Sequence, residues 1–419
     1  MRAWRTPQIS VLPASGIAPR LHDTRSGQVQ EVVPSTPGRA RLYVCGITPY
    51  DSTHLGHAAT YHAADLMRRA LLDAGLEVEL AQNVTDVDDP LLERADRDGE
   101  DWRDLAARET AKFAGDMEAL RILPPQTYRS VSEAMEEIID LVRRLVAAGR
   151  AYQVPTPGAA GEDWYLDLSQ DGALGGVSGW DEQQMLEVFA ERGGDPDRAG
   201  KRGIFDPLLW RAEREGEPAW DAGELGRGRP GWHVECVAIA QEGLGLPFDV
   251  QTGGRDLIFP HHDMSASHAA ALGEGFATLY PHVGMVAYQG EKMSKSLGNL
   301  VFVSELVRQG VDPAAIRLVL MAHHYRSDWE WTDEELSRAS TRLAAYRRAA
   351  AEPADDSDVV AALRDALRAD LDTERALRVL DRWAAGRCPG EDAADAEHRD
   401  VDGPGSVPAA LDALFGIAL

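Results

Sequence analysis

The sequence predicts an α/β protein with a parallel sheet, a mixed helical and hairpin insertion, and a helical C-terminal region. Three observations support this prediction. A strand, a helix and a second strand follow one another within residues 41–84, a similar pattern returns over 246–290, and residues 333–384 have an amphipathic helical pattern. A strand–helix–strand unit of this length implies a parallel strand pair joined by a right-handed crossover.

The first unit starts with RLYVCG, an apolar run over residues 41–46 that is typical of a buried strand. From Gly56 onward, apolar side chains recur every three or four residues, which predicts a helix that Gly75 ends. EVELAQNV, residues 77–84, then alternates apolar and polar side chains as a strand does. These elements form the predicted βαβ unit.

The block that follows interrupts the α/β pattern. Residues 101–122 predict one helix, and a second is expected to begin at Ser130, because Ser130 and Glu133 have the spacing of a capping box. AYQV and DWYLDL flank a Pro/Gly loop and predict a hairpin. Residues 183–230 are rich in Gly, Pro and charge, so we expect surface loops there.

The α/β pattern resumes with LPFDVQTGG as a strand, a helix from about His261, and HVGMVAYQG as a strand over 282–290. Asp312 and Pro313 are the N-cap and first-turn pair of a further helix. The segment CPGEDAADAEHRDVDGPG is typical of a linker before a last short helix. The predicted regions are a split α/β domain over 1–100 and 230–300, an insertion over 101–229, and a C-terminal helical domain over 301–419.

Composition and charge limit the class of partner. The 419 residues carry 43 Lys+Arg against 69 Asp+Glu, a formal net charge of −26, whereas nucleic-acid binding normally depends on concentrated positive charge. No apolar stretch has the length of a membrane helix, the N-terminus lacks a signal-peptide core, and three separated cysteines form no disulfide framework. We therefore expect a cytoplasmic protein with small-molecule partners and neither a nucleic-acid nor a membrane partner. We also expect a monomer, although nothing in the composition bears on the oligomeric state.

The motif THLGH, residues 53–57, lies where the first strand leads into the first helix. Unpaired backbone N–H groups and the helix dipole favour an anion at such a place. Gly56 permits close approach to the backbone, and His54 and His57 can donate hydrogen bonds to phosphate oxygens. Taken alone, the motif is explained equally well by two surface histidines at a helix start.

EKMSKSLGN, residues 291–299, places Lys292 and Lys295 on a Ser- and Gly-containing loop after a strand. A basic loop alone is usually only solvated surface, but HLGH and KMSKS together resemble the class I aminoacyl-tRNA synthetases. The resemblance implies a Rossmann-like catalytic domain that forms an aminoacyl-adenylate from ATP, with Mg²⁺ accompanying the ATP. It also implies that His54 and His57 stabilise the α-phosphate, while Lys292 and Lys295 hold the β- and γ-phosphates.

Cys45, Cys236 and His261 extend the resemblance to the cysteinyl branch of this class, in which the matching residues bind one active-site zinc ion. Two thiolates and an imidazole leave one position of a zinc ion open. An open zinc can bind a substrate thiolate, a group that serine cannot supply. Without the flanking motifs, two buried structural cysteines and a core histidine would be the simpler interpretation. For His262 the sequence leaves two positions open, facing the adenylate or facing the core.

Two features depart from cysteinyl-tRNA synthetase. Ser265 stands where that family has a glutamate as fourth zinc ligand, and residues 351–419 hold 7 Arg and no Lys against 16 acidic residues, a net charge of −9. YVCGITPYD, QNVTDVDDP, ERGGDP and PGWHVEC are more similar to the cysteine:glucosaminyl-inositol ligases of mycothiol biosynthesis, which are truncated relatives of that synthetase. That resemblance implies formation of cysteinyl-adenylate from L-cysteine and ATP, then transfer of cysteine to the amine of glucosaminyl-inositol.

The matching motifs also imply a cysteinyl-adenylate pocket. In it, Asp256 would receive either the cysteine ammonium or a ribose hydroxyl, and Trp232 either packs on the small side chain or is structural. The alternatives to the ligase are a cysteinyl-tRNA synthetase and a synthetase-like binding protein without catalysis. The predicted pocket residues are Cys45, Gly46, Ile47, Thr48, Thr60, Asn83, Val84, Thr85, Trp232, Gly254, Arg255, Asp256 and Val286.

Overall fold

The computed structural model describes residues 1–50, 53–170, 172–293, 298–352, 356–387 and 405–419. The strands are β1 (Arg20–Asp23), β2 (Gln28–Glu31), β3 (Arg39–Val44), β4 (Glu77–Val84), β5 (Thr127–Ser130), β6 (Ala151–Val154), β7 (Asp163–Leu166), β8 (Leu208–Ala212), β9 (Trp220–Asp221), β10 (Arg227–Pro230), β11 (Phe248–Gly254), β12 (Ala277–Leu279), β13 (His282–Val283), β14 (Val286–Tyr288), β15 (Glu291–Lys292) and β16 (Trp329–Glu330). The helices are α1 (Leu55–Asp73), α2 (Asp89–Asp98), α3 (Trp102–Ala119), α4 (Met135–Ala147), α5 (Glu182–Phe189), α6 (Trp232–Leu244), α7 (Asp263–Ala271), α8 (Val303–Arg308), α9 (Pro313–Met321), α10 (Asp333–Ala350), α11 (Ser357–Arg368), α12 (Thr373–Arg387) and α13 (Val407–Phe415).

A parallel sheet with the order β12–β11–β3–β4–β5 forms the centre of the fold, and β13 pairs with the end of β11. The predicted βαβ unit is confirmed as β3–α1–β4, with Leu42 opposite Leu80. Because the strands are parallel, the carboxyl ends of β3, β4 and β11 lie at one edge of the sheet. Ligands of α/β proteins bind at this edge.

The helix expected from Ser130 was placed too early. Thr127–Ser130 is the strand β5, which extends the central sheet beside β4. The capping-box hydrogen bonds do form, since Ser130 N donates to Glu133 Oε2 at 3.3 Å and Glu133 N donates to Ser130 Oγ at 3.2 Å. They stabilise a turn, and α4 begins only at Met135.

The expectation of surface loops over 183–230 was wrong. This region contains α5 and three strands of a five-stranded antiparallel sheet with the order β6–β7–β8–β10–β9, to which the correctly predicted AYQV/DWYL hairpin contributes β6 and β7. Trp210 is fully buried in β8, and buried Asp163 pairs with Arg214 at 2.9 Å. The charged residues therefore stabilise a sheet. The bounds of the insertion stay a prediction, and β5 lies within them although it belongs to the central sheet.

Residues 282–290 form two short strands, β13 and β14, where one strand was predicted. The break lies at Gly284, whose backbone approaches the chain after α9 so closely that an added Cβ would lie 2.2 Å from Ser327 O. Helix α7 begins at Asp263, two residues later than expected. The N-terminal hairpin β1–β2 had not been predicted.

The C-terminal region is helical as predicted. Asp312 caps α9, accepting a hydrogen bond from Ala314 N at 2.9 Å, and Pro313 occupies the first turn. Helices α9 and α13 pack on α1, so this region shares a hydrophobic core with the sheet. The predicted linker over 388–405, with Cys388, lies almost wholly outside the described residues. Within the described ranges, no helix is both long enough and apolar enough to cross a bilayer.

A buried ion cluster joins α1 to α9 and α13. Asp65 accepts from Arg69 Nε and from Arg317 Nη2, both at 2.8 Å, and all three residues are nearly fully buried. Burial raises the pKa of Asp65, but Arg69 and Arg317 outweigh it and lower the pKa to about 2. Arg69 also donates to the carbonyl oxygens of Asp412 and Ala413 near the negative end of the α13 dipole.

We expect Asp65→Asn to lower the free energy of unfolding by about 3–5 kcal/mol, because two buried guanidinium groups would lose their counter-charge. Denaturant unfolding at pH 7 measures the change. Asp98→Asn is the matched control, since Asp98 also pairs with an arginine one helical turn away, Arg94, but at the surface. An equal shift in both variants would contradict the account.

Candidate active site and metal centre

Cys45, Cys236 and His261 converge at the carboxyl edge of the central sheet. Cys45 follows β3, Cys236 lies in the second turn of α6, and His261 lies between β11 and α7. Their ligand atoms all lie within 4.8 Å of one another, and all three residues are buried. His261 Nε2 is 3.3 Å from Cys236 Sγ. The structure therefore brings together the three residues predicted to bind a metal.

The chemistry of this group fits a soft dication. The pKa of Cys236 is raised well above its usual value, first by the hydrogen bond with Cys45 and then by burial. The Cys236 thiol therefore stays protonated unless a cation stabilises its thiolate, and a coordinated metal does so. Two sulfurs and one imidazole nitrogen are a donor set that zinc accepts.

A second layer of side chains holds His261 in place. His233 Nδ1 lies 3.0 Å from His261 Nδ1, and the Trp232 ring stacks on His261 with centroids 4.3 Å apart and an interplanar angle of 20°. Burial lowers the pKa of His233 well below its usual value, so this ring is neutral. Such outer contacts fix the orientation of a metal-binding imidazole.

The resemblance places Ser265 where cysteinyl-tRNA synthetase has a glutamate ligand. Ser265 is fully buried, and its hydroxyl donates to the carbonyl oxygen of His261, four residues earlier in the chain, at 2.8 Å. Three residues, not four, thus form the candidate metal group in the described part of the chain.

The structure buries His262, the residue for which the sequence left two positions open. Its ring is fully buried, and its Nε2 lies 3.2 Å from Cys45 Sγ. Burial and the neighbouring His282 lower its pKa well below the usual value, so the ring is neutral. Sequence reasoning could not assign this contact, because the side chains of two adjacent histidines point to different cysteines.

The HLGH residues cap the first helix. His54 is the N-cap of α1, with Nδ1 accepting from Gly56 N at 3.1 Å, and the His54 and His57 rings stack with centroids 3.8 Å apart. A Cβ on Gly56 would lie 2.8 Å from His54 Cε1, so glycine is needed for this arrangement. Two imidazoles therefore lie beside the N-terminus of a 19-residue helix, which favours an anion.

The chain that follows the KMSKS loop pairs with the HLGH segment. Leu55 N donates to Val301 O at 2.9 Å, Val303 N donates to Thr53 O at 3.3 Å, and His54 bridges to Phe302. The backbone of Lys292 belongs to β15, opposite Ala287. The Lys292 side chain and all of Lys295 lie outside the described residues, so their phosphate-binding roles stay predictions.

The predicted pocket residues after β3 and β4 form one hydrogen-bonded edge. Gly46 N donates to Asn83 Oδ1 at 2.7 Å, Asn83 Nδ2 donates to Thr85 Oγ1 at 3.0 Å, and Thr85 N donates to Ile47 O at 2.9 Å. A Cβ on Gly46 would lie 1.6 Å from Asn83 O, so the two chain segments touch here. Two further residues flank this edge: Thr48, 3.4 Å from Asp88, and buried Val84.

Thr60 of α1 lies opposite Gly254 of β11. A Cβ on Gly254 would lie 4.0 Å from Thr60 Oγ1 and 2.5 Å from Asp256 Oδ1. Arg255 forms an ion pair with Asp328 at 2.9 Å. Val286 is buried in β14. The structure thus places these residues around the sheet edge, and their contact with an adenylate stays a prediction.

Two residues of the segment ERGGDP make contacts that the sequence-derived site did not include. Arg192 Nη1 donates to the carbonyl oxygens of Asp256 at 3.1 Å and Phe259 at 2.8 Å, in the segment that leads to His261. A Cβ on Gly193 would lie 3.9 Å from the Trp232 ring. The segment was visible as a motif, but its role became apparent only from the folded contacts.

Comparison with known proteins identifies the family. A sequence model described as tRNA synthetases class I (C) catalytic domain matches residues 31–341. A protein of Brachybacterium faecium named L-cysteine:1D-myo-inositol 2-amino-2-deoxy-α-D-glucopyranoside ligase is 71% identical over 419 residues, covering 100% of both chains. Ligases of the same name from Sanguibacter keddieii and Streptomyces coelicolor are each 54% identical, again over 100% of both chains. The chain belongs to this ligase family.

Solved structures support the fold assignment. Mycobacterium tuberculosis methionyl-tRNA synthetase in complex with methionyl-adenylate is similar with a TM-score of 0.60 at 19% identity, covering 82% of each chain. At that identity the similarity concerns the fold, and the class I synthetase-type catalytic domain predicted from HLGH and KMSKS is confirmed. The ligase reading is likewise supported over the cysteinyl-tRNA synthetase alternative by the full-length relatives.

A buried acid lies close to the predicted phosphate site. Asp116 of α3 is 3% exposed, and its Oδ2 has no hydrogen-bond partner among the described residues. Burial raises its pKa to about 7, against smaller opposing effects of Thr53 and Lys112. With that pKa the carboxyl group is about half protonated at pH 7, and its protonated form repels a phosphate less than a carboxylate does.

We predict that Asp116→Asn increases the free energy of unfolding at pH 8 by roughly 2–4 kcal/mol. The folded state binds more protons than the unfolded state between about pH 4 and 7, so the wild type loses stability as pH rises through that window. The Asp116→Asn variant should lose less stability over the same pH range. Denaturant unfolding at several pH values measures this, with exposed Asp104→Asn on the same helix as control. Parallel pH curves for wild type and Asp116→Asn would refute the prediction.

Proposed function

We propose that the protein joins L-cysteine to the amine of 1D-myo-inositol 2-amino-2-deoxy-α-D-glucopyranoside in two steps. L-cysteine and ATP first give cysteinyl-adenylate and pyrophosphate. The amine of the amino sugar then attacks the carbonyl carbon, so that a C–N bond forms, the C–O bond to phosphate breaks and AMP leaves. The observation that carries the proposal is the convergence of Cys45, Cys236 and His261 beside the HLGH helix start in a chain that matches the named ligases along its whole length.

Recognition of the amino acid depends on the three buried donors. Zinc bound by Cys45, Cys236 and His261 would supply a soft Lewis acid for the substrate thiolate, a group that serine lacks. Trp232 and His233 keep the His261 ring oriented. This arrangement accounts for selectivity that a shape-based pocket could not reach, because cysteine and serine differ by a single atom.

Adenylate formation depends on positioning and charge. The start of α1, with His54 and His57, lies at the place proposed for the α-phosphate, where the helix dipole favours an anion. We assign Lys292 and Lys295 to the β- and γ-phosphates and expect Mg²⁺ to accompany ATP. The sheet-edge residues, with Thr60, Gly254 and Asp256, would hold the rest of the adenylate between the metal and α1.

The acceptor is a small amino sugar and not tRNA in this proposal. The C-terminal residues 351–419 carry a net charge of −9, which opposes binding to an RNA backbone. The formation of a cysteinyl amino sugar is the step that the resemblance places in mycothiol biosynthesis. A cytoplasmic location and a monomeric state remain predictions.

We expect the wild type to exchange labelled pyrophosphate into ATP only when L-cysteine is present, with L-serine inactive. Cys236→Ala should lower the exchange rate by about 100-fold or more, because a metal ligand is lost. Cys388→Ala changes a cysteine that is not among the predicted site residues and should leave exchange unchanged. Absence of any adenylate formation by the zinc-loaded wild type would instead favour a non-catalytic synthetase-like protein.

A second experiment tests the acceptor. With ATP and L-cysteine present, the amino sugar should accelerate AMP release and yield a cysteinyl amide detectable by mass spectrometry, whereas cysteine tRNA should accept no cysteine. Charging of tRNA without reaction of the amino sugar would replace the proposal with the synthetase alternative.

A further inference from the structure

A row of hydrogen-bonded side chains ends on the Cys45 sulfur. Thr24 Oγ1 lies 2.7 Å from His282 Nδ1, His282 Nε2 lies 2.7 Å from His262 Nδ1, and His262 Nε2 lies 3.2 Å from Cys45 Sγ. Neither Thr24 nor His282 belongs to the predicted site. The row thus connects the N-terminal hairpin with the candidate metal group.

If Cys45 binds a metal as a thiolate, each hydrogen bond in this row must be donated toward the Cys45 sulfur. A thiolate can only accept, so His262 Nε2–H must donate to Cys45. In a neutral ring the other nitrogen then accepts, so His282 Nε2–H donates to His262 Nδ1. His282 Nδ1 in turn accepts from the hydroxyl of Thr24. Each tautomer is therefore fixed by the next hydrogen bond.

The fold holds the middle of the row rigidly. His282 lies in β13 directly opposite Gly253 of β11. A Cβ on Gly253 would lie 3.3 Å from His262 Nε2 and Cε1, so the backbone passes close to that ring. Burial lowers the pKa of His282 to about 3, against the opposing effect of a hydrogen bond with the Tyr280 backbone, and so keeps its ring neutral.

Two hydrogen bonds hold the N-terminal hairpin at the outer end of the row. Thr24 N donates to Tyr280 O, and Tyr280 N donates to Asp23 Oδ1, both at 3.0 Å. Two reciprocal contacts thus place Thr24 beside His282. These hydrogen bonds hold the segment that precedes the parallel sheet in place at this point.

We propose that Thr24 and His282 are positioning residues of the metal centre: they fix the orientation and tautomer of His262, so that its Nε2–H stabilises the Cys45 thiolate. This inference rests on the proposed zinc site and extends it to an outer shell that reaches the N-terminal hairpin. Hydrogen bonds from an outer shell generally tune metal affinity.

The test is the zinc dissociation constant of the full chain, measured by competition with a chromophoric chelator. Thr24→Val removes the hydroxyl and should weaken zinc binding about fivefold, the equivalent of one hydrogen bond. His282→Leu breaks the row in its middle and should weaken zinc binding about 10–100-fold. Thr24→Ser keeps the hydroxyl and should bind zinc like the wild type. In the cobalt-substituted protein, the sulfur-to-metal charge-transfer band should shift in Thr24→Val and not in Thr24→Ser.

Wild-type affinity and an unshifted band in Thr24→Val would overturn this inference and leave the zinc site intact. Equal weakening in Thr24→Ser and Thr24→Val would also overturn it, because the effect would then come from packing. Absence of zinc binding by the wild type would instead refute the metal part of the proposed function, and this inference with it. Thermal unfolding of the metal-free variants shows whether each variant is folded.

Discussion

The structure depends on one constraint: three buried side chains of the metal-binding type meet at a single point. At the carboxyl edge of β3 and β11, the ligand atoms of Cys45, Cys236 and His261 lie within 4.8 Å of one another, and the pKa of Cys236 is raised by the hydrogen bond with Cys45 and by burial. A bound dication would stabilise the thiolates and relieve this constraint. The surrounding packing is arranged accordingly, with Trp232 and His233 against His261, and His262 against Cys45.

The same edge of the sheet also brings the metal group and the phosphate site together. Cys45 and His54 are separated only by the short connection between β3 and α1, so one loop joins the proposed thiol-binding and phosphate-binding ends. The bridge from His54 to Phe302 ties this loop to the chain that follows KMSKS. An adenylate spanning the two ends would be positioned by the fold as much as by any single side chain, which suits a reaction catalysed chiefly by orientation and charge.

Local patterns predicted the regular parts of this fold and little of the irregular parts. Strand β4 and helix α1 have clear periodicity, and the structure confirms them. The helix start predicted at Ser130 was wrong because the hydrogen bonds of a capping box can stabilise a turn as well as the start of a helix. The three strands of the antiparallel sheet that lie in residues 183–230 were not predicted, because they are short and their charged side chains are paired with others in this segment. Such pairings join residues that local sequence does not relate.

The candidate site was also predictable only in part. The three donors were predicted from motif resemblance, since Cys45 and Cys236 lie far apart in the sequence and no local rule connects them. The roles of His262, Arg192 and Thr24 arise from long-range contacts, and only the folded chain reveals them.

The central claim is that the buried group holds a zinc ion with one position open for the substrate thiolate. X-ray absorption at the zinc edge tests it most directly. The account predicts one zinc per chain with two sulfur ligands from the protein, and a third sulfur when L-cysteine is added but not when L-serine is added. An unchanged sulfur count with L-cysteine, or purified active protein without zinc, would contradict it.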